Sequence, residues 1–156
     1  MTTKMIGTGS YLPEHVVSND DLVKLVDTSD EWIRQRTGIG ERHISGGEDL
    51  SYYTTKDARQ IIERAGIAPE DIDLIVVATV TADYCTPSAA CMVQKEIGAV
   101  NAVAFDVTAA CSGFLYGVSV ADKFIRCGVY KNALVIGGEI LSKIVDWQDR
   151  STCVLF

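Results

Sequence analysis

One residue in this chain has both the type and the neighbours for nucleophilic chemistry. Cys111 follows an apolar stretch, Ala102 to Val107, and the small-residue turn Thr108-Ala109-Ala110, and it stands where Ser112-Gly113 open a helix. The unpaired N–H groups of a helix start stabilise an anion, so this place favours thiolate over thiol. Ala109, Ala110 and Gly113 leave room for a substrate carbonyl, and the N–H of Cys111 can serve as one oxyanion donor. The position suits a buried structural cysteine equally well. Cys91, Cys127 and Cys153 lie within or at the ends of apolar elements and are expected to be packing groups; Cys85, in a loop, has no assigned role. An acid/base partner is harder to find. His15 and His43 are the only histidines, and both are expected to be solvated surface groups.

A second cluster could bind rather than react. Trp32 and Arg36 are four apart on a short capped helix and so share one face. An indole beside a guanidinium suits a nucleotide, by stacking on the base and pairing with phosphate. The same residues also fit a tryptophan anchoring its helix beside two solvated arginines, and alone they favour that reading. Arg150, near Asp146 and Asp149, is ambiguous by itself.

The elements that must position these groups alternate. Lys4 to Tyr11 reads as a strand closed by Pro13, and Ser18 caps a short helix through Val26. Thr28-Ser29-Asp30-Glu31 has capping-box spacing for a helix over 31–36, ended by Thr37-Gly38, and 39–44 looks extended. Residues 50–65 form a long amphipathic helix stopped by Gly66. Three mainly apolar runs follow, at 74–80, 102–107 and 132–138, each expected to be a buried strand. Between them lie a helix from Ser88 to Ile97 stopped by Gly98, and one over 112–127 stopped by Gly128. This alternation predicts an α/β layered fold with a mixed, mostly parallel central sheet.

Composition bounds the partners. With 156 residues, 47% hydrophobic and 22% charged, the chain is one domain's worth of ordered protein. Such a chain buries roughly 70% of its unfolded surface. A net charge of −7 disfavours nucleic acid and anionic membrane as partners. No apolar run reaches a membrane span, and the start lacks the apolar core of a signal peptide, so the expected compartment is the cytoplasm. The five scattered cysteines form no Cys-x-x-Cys pair, and a metal site is not expected. Thr152 to Phe156 reads as a core strand in which the chain stops, which suggests part of a larger protein.

Several blocks together resemble the β-ketoacyl-acyl carrier protein synthase III family. They are Gly7-Thr8-Gly9-Ser10-Tyr11-Leu12-Pro13, the stretch from Asp27 to Ile33, Arg36-Thr37-Gly38-Ile39 with Glu41-Arg42-His43-Ile44, and the stretch from Phe105 to Phe114. The resemblance covers nearly the whole chain. It implies a thiolase-like fold of two similar α/β halves in five layers, usually a homodimer, of which residues 1–156 would be the N-terminal half. It implies Cys111 as the acyl-accepting nucleophile. Coenzyme A contacts fall on Thr28, Trp32, Arg36 and Arg150, with Trp32 and Arg150 around the adenine. Leu141 and Phe156 would line the acyl pocket, and Thr86 would reach the partner subunit's pocket. The family often carries a bulky aromatic at the position of Thr86, which leaves starter size open.

The implied reaction is ping-pong. Acyl-CoA acylates the cysteine, and malonyl-acyl carrier protein then loses CO2 and attacks the acyl group. The family's His and Asn would come from a complementary C-terminal half, without a cofactor beyond the coenzyme A thioester and without metal. Two other readings compete: a hydroxymethylglutaryl-CoA synthase-like or specialised starter-unit ketosynthase, and a non-catalytic acyl-CoA-binding or assembly subunit.

Overall fold

Leu74-Ile-Val-Val-Ala78 has no polar residue on either face, and it becomes the centre of the sheet. The computed structural model describes residues 2–156, which gather into two units. In order, the elements are β1 (His15–Ser18), α1 (Asn19–Leu22), α2 (Asp30–Thr37), β2 (Glu41–Ile44), α3 (Leu50–Ala65) and β3 (Leu74–Ala78). Then come α4 (Ala89–Ile97), β4 (Val103–Val107), α5 (Gly113–Arg126), β5 (Ala133–Gly137) and α6 (Arg150–Cys153).

The first unit, called here the sheet unit, comprises the chain up to Tyr11 together with Asp49–Glu139. Its sheet runs β4-β3-β5 with both pairings parallel, aligning Leu74 with Val103 and with Ala133. All five β3 residues are buried. By strand alternation Leu74 and Val76 face one side, where they meet Ala121, Phe124 and Val135, while Ile75 and Val77 face the other. Helix α5 packs on β3 and β5, and α4 on β4 and β3. Carboxylates from elsewhere in this unit satisfy the first helical amides. Asp83 accepts from the Leu50 and Ser51 N–H groups (2.6 and 2.9 Å), and Asp106 from those of Ala89 and Ala90 (both 2.8 Å).

The second, ribbon unit comprises Leu12–Glu48 and Ile140–Phe156. β1 and β2 form an antiparallel ribbon with His15 opposite Ile44. Ser18 and Asp21 make a capping box on α1. Ser29 caps α2 by accepting from the Trp32 N–H, and Gly38, at φ 75°, closes it. The core is small: Leu22, Ile33, Cys153 and Val154, with Trp32 and Trp147 packed against it.

Four sequence expectations need correction. Lys4 to Tyr11 forms no strand ladder; the stretch packs against α3, where a Cβ at Gly7 would sit 3.1 Å from the Ala65 methyl. Strand-like residues without a neighbouring strand leave a stretch extended but unpaired. Of the three strands expected to be buried only β3 is, since no β4 residue is buried and β5 buries just Leu134 and Ile136. His15–Ser18, given no element from sequence, is a strand because β2 offers it a partner. The cap of α2 is Ser29 rather than Thr28. Thr152 to Phe156 is no strand: Asp149 caps the short helix α6, whose Cys153 and the following Val154 are buried while Leu155 and Phe156 are exposed. Among the described residues, no helix is long and apolar enough to cross a membrane.

Candidate functional site

Cys111 sits where sheet and helix geometry converge. Strand β4 ends at Val107, a tight turn spans Ala110–Ser112, and α5 begins at Gly113. Ala110 has φ 45°, the only positive φ outside glycine among the described residues. An L-residue there costs roughly 1 kcal/mol, so the surroundings must hold the turn against its preference. The reason lies one helical turn on. A Cβ at Gly113 would come 3.2 Å from the Ala78 methyl, and one at Gly117 would lie 3.0 Å from Val135 Cγ1 and 3.3 Å from Val76 Cγ1. Gly113, Gly117 and Ala121, four residues apart, let α5 lie directly on the sheet, and the chain must turn sharply to enter it. The thiol at this point is exposed.

Of the three thiols expected to be packing groups, Cys153 is one and the exposed Cys127 is not. Only Cys153 is buried; Cys91 is half-buried, and Cys85 and Cys127 are exposed. Cys127 is the C-cap of α5, past the stripe that faces the sheet. His15 is exposed, as expected. His43 is half-buried, its Nδ1 2.6 Å from the Pro13 carbonyl oxygen.

The ribbon unit brings three of the predicted binding residues together. The guanidinium carbons of Arg36 and Arg150 each lie 4.3 Å from the Trp32 ring centroid. Arg36 reaches the indole from one turn along α2, and Arg150 from the start of α6. Trp32 also packs against the cluster of Leu22, Ile33, Cys153 and Val154, so the indole anchors its helix and carries both guanidinium contacts at once. Thr28 lies shortly before α2, and its hydroxyl is buried without a hydrogen-bond partner among the described residues. A buried orphan of this kind calls for a ligand or a water.

Leu141 is half-buried in the turn Leu141–Lys143, and Phe156 is exposed; both belong to the ribbon unit. Thr86 is exposed in the loop before α4, in the sheet unit with Cys111. No hydrogen bond or ion pair joins Leu141 to Phe156 or Thr86 to Cys111 among the described residues. Nor could any group of three or more His, Cys, Asp and Glu among them hold a metal ion.

Sequence reasoning missed Arg42. It is 5% exposed on β2, and burial pushes its pKa down from the usual guanidinium value. Alternation along Glu41-Arg42-His43-Ile44 puts Arg42 on the same side as Ile44, an arginine on an apolar face, which is the signal that could have found it.

A family model for 3-oxoacyl-[acyl-carrier-protein (ACP)] synthase III matches residues 105–156, the stretch holding both Cys111 and Arg150. A β-ketoacyl-[acyl-carrier-protein] synthase III from Clostridium acetobutylicum is 57% identical over 155 residues, 99% of this chain and 48% of the relative. The chain belongs to the β-ketoacyl-[acyl-carrier-protein] synthase III family. The crystal structure of 3-oxoacyl-[acyl-carrier-protein] synthase III from Aquifex aeolicus superposes with a TM-score of 0.96 at 55% identity, covering 99% of this chain and 50% of that one. The priming β-ketosynthase of the R1128 polyketide pathway is similar as well, with a TM-score of 0.94 at 37% identity over 98% of this chain and 46% of that one. The fold is therefore that of the synthase III family, and the chain spans about half the length of the curated relatives it matches.

Proposed function

We propose that this chain is the N-terminal half of a β-ketoacyl-acyl carrier protein synthase III and supplies its nucleophile and its coenzyme A clamp. The observation that carries the reading is the exposed Cys111 thiol, held by a strained turn at the start of a helix pressed onto the sheet. Cys111 Sγ attacks the thioester carbon of an acyl-CoA, the bond to the coenzyme A sulfur breaks, and coenzyme A leaves. The Cys111 N–H is one donor to the developing oxyanion and the complementary half supplies the second, while the amides opening α5 favour the thiolate. Malonyl-acyl carrier protein then loses CO2. The resulting enolate carbon attacks the acyl carbon, and the thiolate of Cys111 departs as β-ketoacyl-acyl carrier protein forms.

The adenine of coenzyme A enters the clamp by exchange. The guanidinium–indole contact at Trp32 opens to an indole–adenine–guanidinium stack with Arg150, while Arg36 remains for phosphate and the Thr28 hydroxyl gains a partner. Thr86, Leu141 and Phe156 border the acyl chain. The complementary half contributes His and Asn for the decarboxylation, and the complete enzyme works as a cytoplasmic homodimer, without metal.

The test is covalent. Incubated with radiolabelled acetyl-CoA, the chain combined with its complementary half should retain label through denaturation, and Cys111→Ala should retain none. Label that survives Cys111→Ala would overturn the assignment. A specialised starter-unit ketosynthase is the second reading, favoured by the 37% identity to the R1128 priming enzyme, and Thr86 leaves starter size open. A panel of acyl donors decides between the two.

A further inference from the structure

Arg42 gives two main-chain carbonyls and one side chain a common anchor. Its guanidinium donates to the Val154 carbonyl (2.8 Å), to the Phe156 carbonyl (3.1 Å) and to Asn19 Oδ1. Asn19, 1% exposed, turns its own Nδ2 to Asp30 Oδ1 and to the Ile39 carbonyl, both at 2.8 Å. Asp30 is the first residue of α2, two before Trp32, and Val154 directly follows α6, which begins with Arg150. The two jaws of the clamp, remote in sequence, therefore hang on one guanidinium and one amide.

We propose that Arg42 is a positioning residue for the coenzyme A clamp, tying the start of α2, which carries Trp32, to the end of α6, which carries Arg150. The inference rests on the clamp reading of Trp32 and Arg150 given above. A guanidinium suits the task because its donors leave a rigid plane in fixed directions, so acceptors on three segments are set at once. An ammonium is a single flexible point that cannot hold all three. Water cannot take over, because the site is nearly closed to solvent. Burial also holds the neighbouring Cys153 thiol above its usual pKa, so no thiolate competes for the guanidinium.

The test separates the nucleotide from the rest of the ligand. Binding of coenzyme A and of pantetheine, which lacks the nucleotide, is measured for the chain combined with its complementary half, as wild type, Trp32→Ala and Arg42→Lys, with far-UV circular dichroism reporting folding. The ratio of the two affinities should fall by about tenfold in Arg42→Lys, with pantetheine affinity unchanged. A merely structural role would weaken both ligands together. If Trp32→Ala loses the coenzyme A advantage while folded Arg42→Lys keeps it, the positioning role is overturned and the clamp stands. If Trp32→Ala keeps the advantage, the clamp reading falls, and this inference falls with it. Should Arg42→Lys fail to fold, Asn19→Ser decides: it cuts the tie to Asp30 but leaves both carbonyls on Arg42. An unchanged ratio there also overturns the proposal.

Discussion

The sheet unit and the ribbon unit hold their working residues by opposite means. Around Cys111 the hold is apolar and steric: Leu74, Ile75, Val76 and Val77 have no exposed surface, and α5 approaches them over two glycines and an alanine. Around Trp32 and Arg150 the apolar core is four residues, and a polar chain from the partly exposed Asp30 through the buried Asn19 and Arg42 does the rest. Steric packing fixes a point in space and is sensitive to volume. A hydrogen-bonded fork fixes directions between segments and is sensitive to chemistry. A nucleophile at a helix start needs the first kind of hold. The clamp proposed above, whose jaws come from distant parts of the chain, needs the second.

The comparison can be broken most directly in the sheet. Ile75→Ala should lower unfolding free energy by about 3 kcal/mol through the cavity it leaves, whereas Ile75→Leu, which keeps the volume, should cost under about 1.5 kcal/mol. Urea unfolding measures both. In the ribbon unit the same logic should fail. Arg42→Met roughly keeps length and apolar bulk, yet it strands two buried acceptors, Asn19 Oδ1 and the Val154 carbonyl, and should cost about 2–3 kcal/mol. An Arg42→Met as mild as Ile75→Leu would erase the distinction.

A smaller effect sharpens the local side of the comparison. Ser29→Ala removes the acceptor for the Trp32 N–H (3.1 Å) and should cost about 1 kcal/mol. Thermal melts would show a shift of a few degrees, and no shift would mean that the polar chain alone sets α2.

The smallest effect is electrostatic. In the sheet unit the Thr3 hydroxyl (2.7 Å), with Arg126 Nε (2.8 Å), holds the Asp122 carboxyl down to about 2, against an ordinary 3.8. A folded-state pKa below the unfolded one adds stability that is fully present above the unfolded value and is lost as pH falls through the folded one. Wild type should therefore lose slightly more stability between pH 4 and pH 2 than Asp122→Asn, in acid titrations followed by circular dichroism. Equal slopes would remove Asp122 from the account.

Local signals read well. The helix over 50–65 has its expected bounds, because Gly66 at φ 65° ends it and the Asp83 carboxylate takes the amides at its start. Ser88 and Gly98 bracket α4 as their types require. The strand-to-helix turn that carries Cys111 was legible because it is a local pattern. Strands without a local partner signal were not: His15–Ser18 depends on Glu41–Ile44, and Lys4 to Tyr11 has strand residues without a strand beside it. The C-terminal segment misled because a few apolar residues fit a strand or a buried helical turn equally, and the Asp149 cap tips them to the turn.

The sequence by itself determined an acidic α/β chain, the bounds of its capped helices, its all-apolar central strand and the place of its candidate nucleophile, because helix stops, strand polarity and turn chemistry act over a few residues. Only the tertiary structure decided that Arg150 lies on Trp32, that Arg42 and Asn19 hold α2 and α6, and that α5 seats so closely that Ala110 must strain. Those outcomes depend on which distant segments become neighbours, and that is set by the joint burial of surfaces no short stretch carries alone.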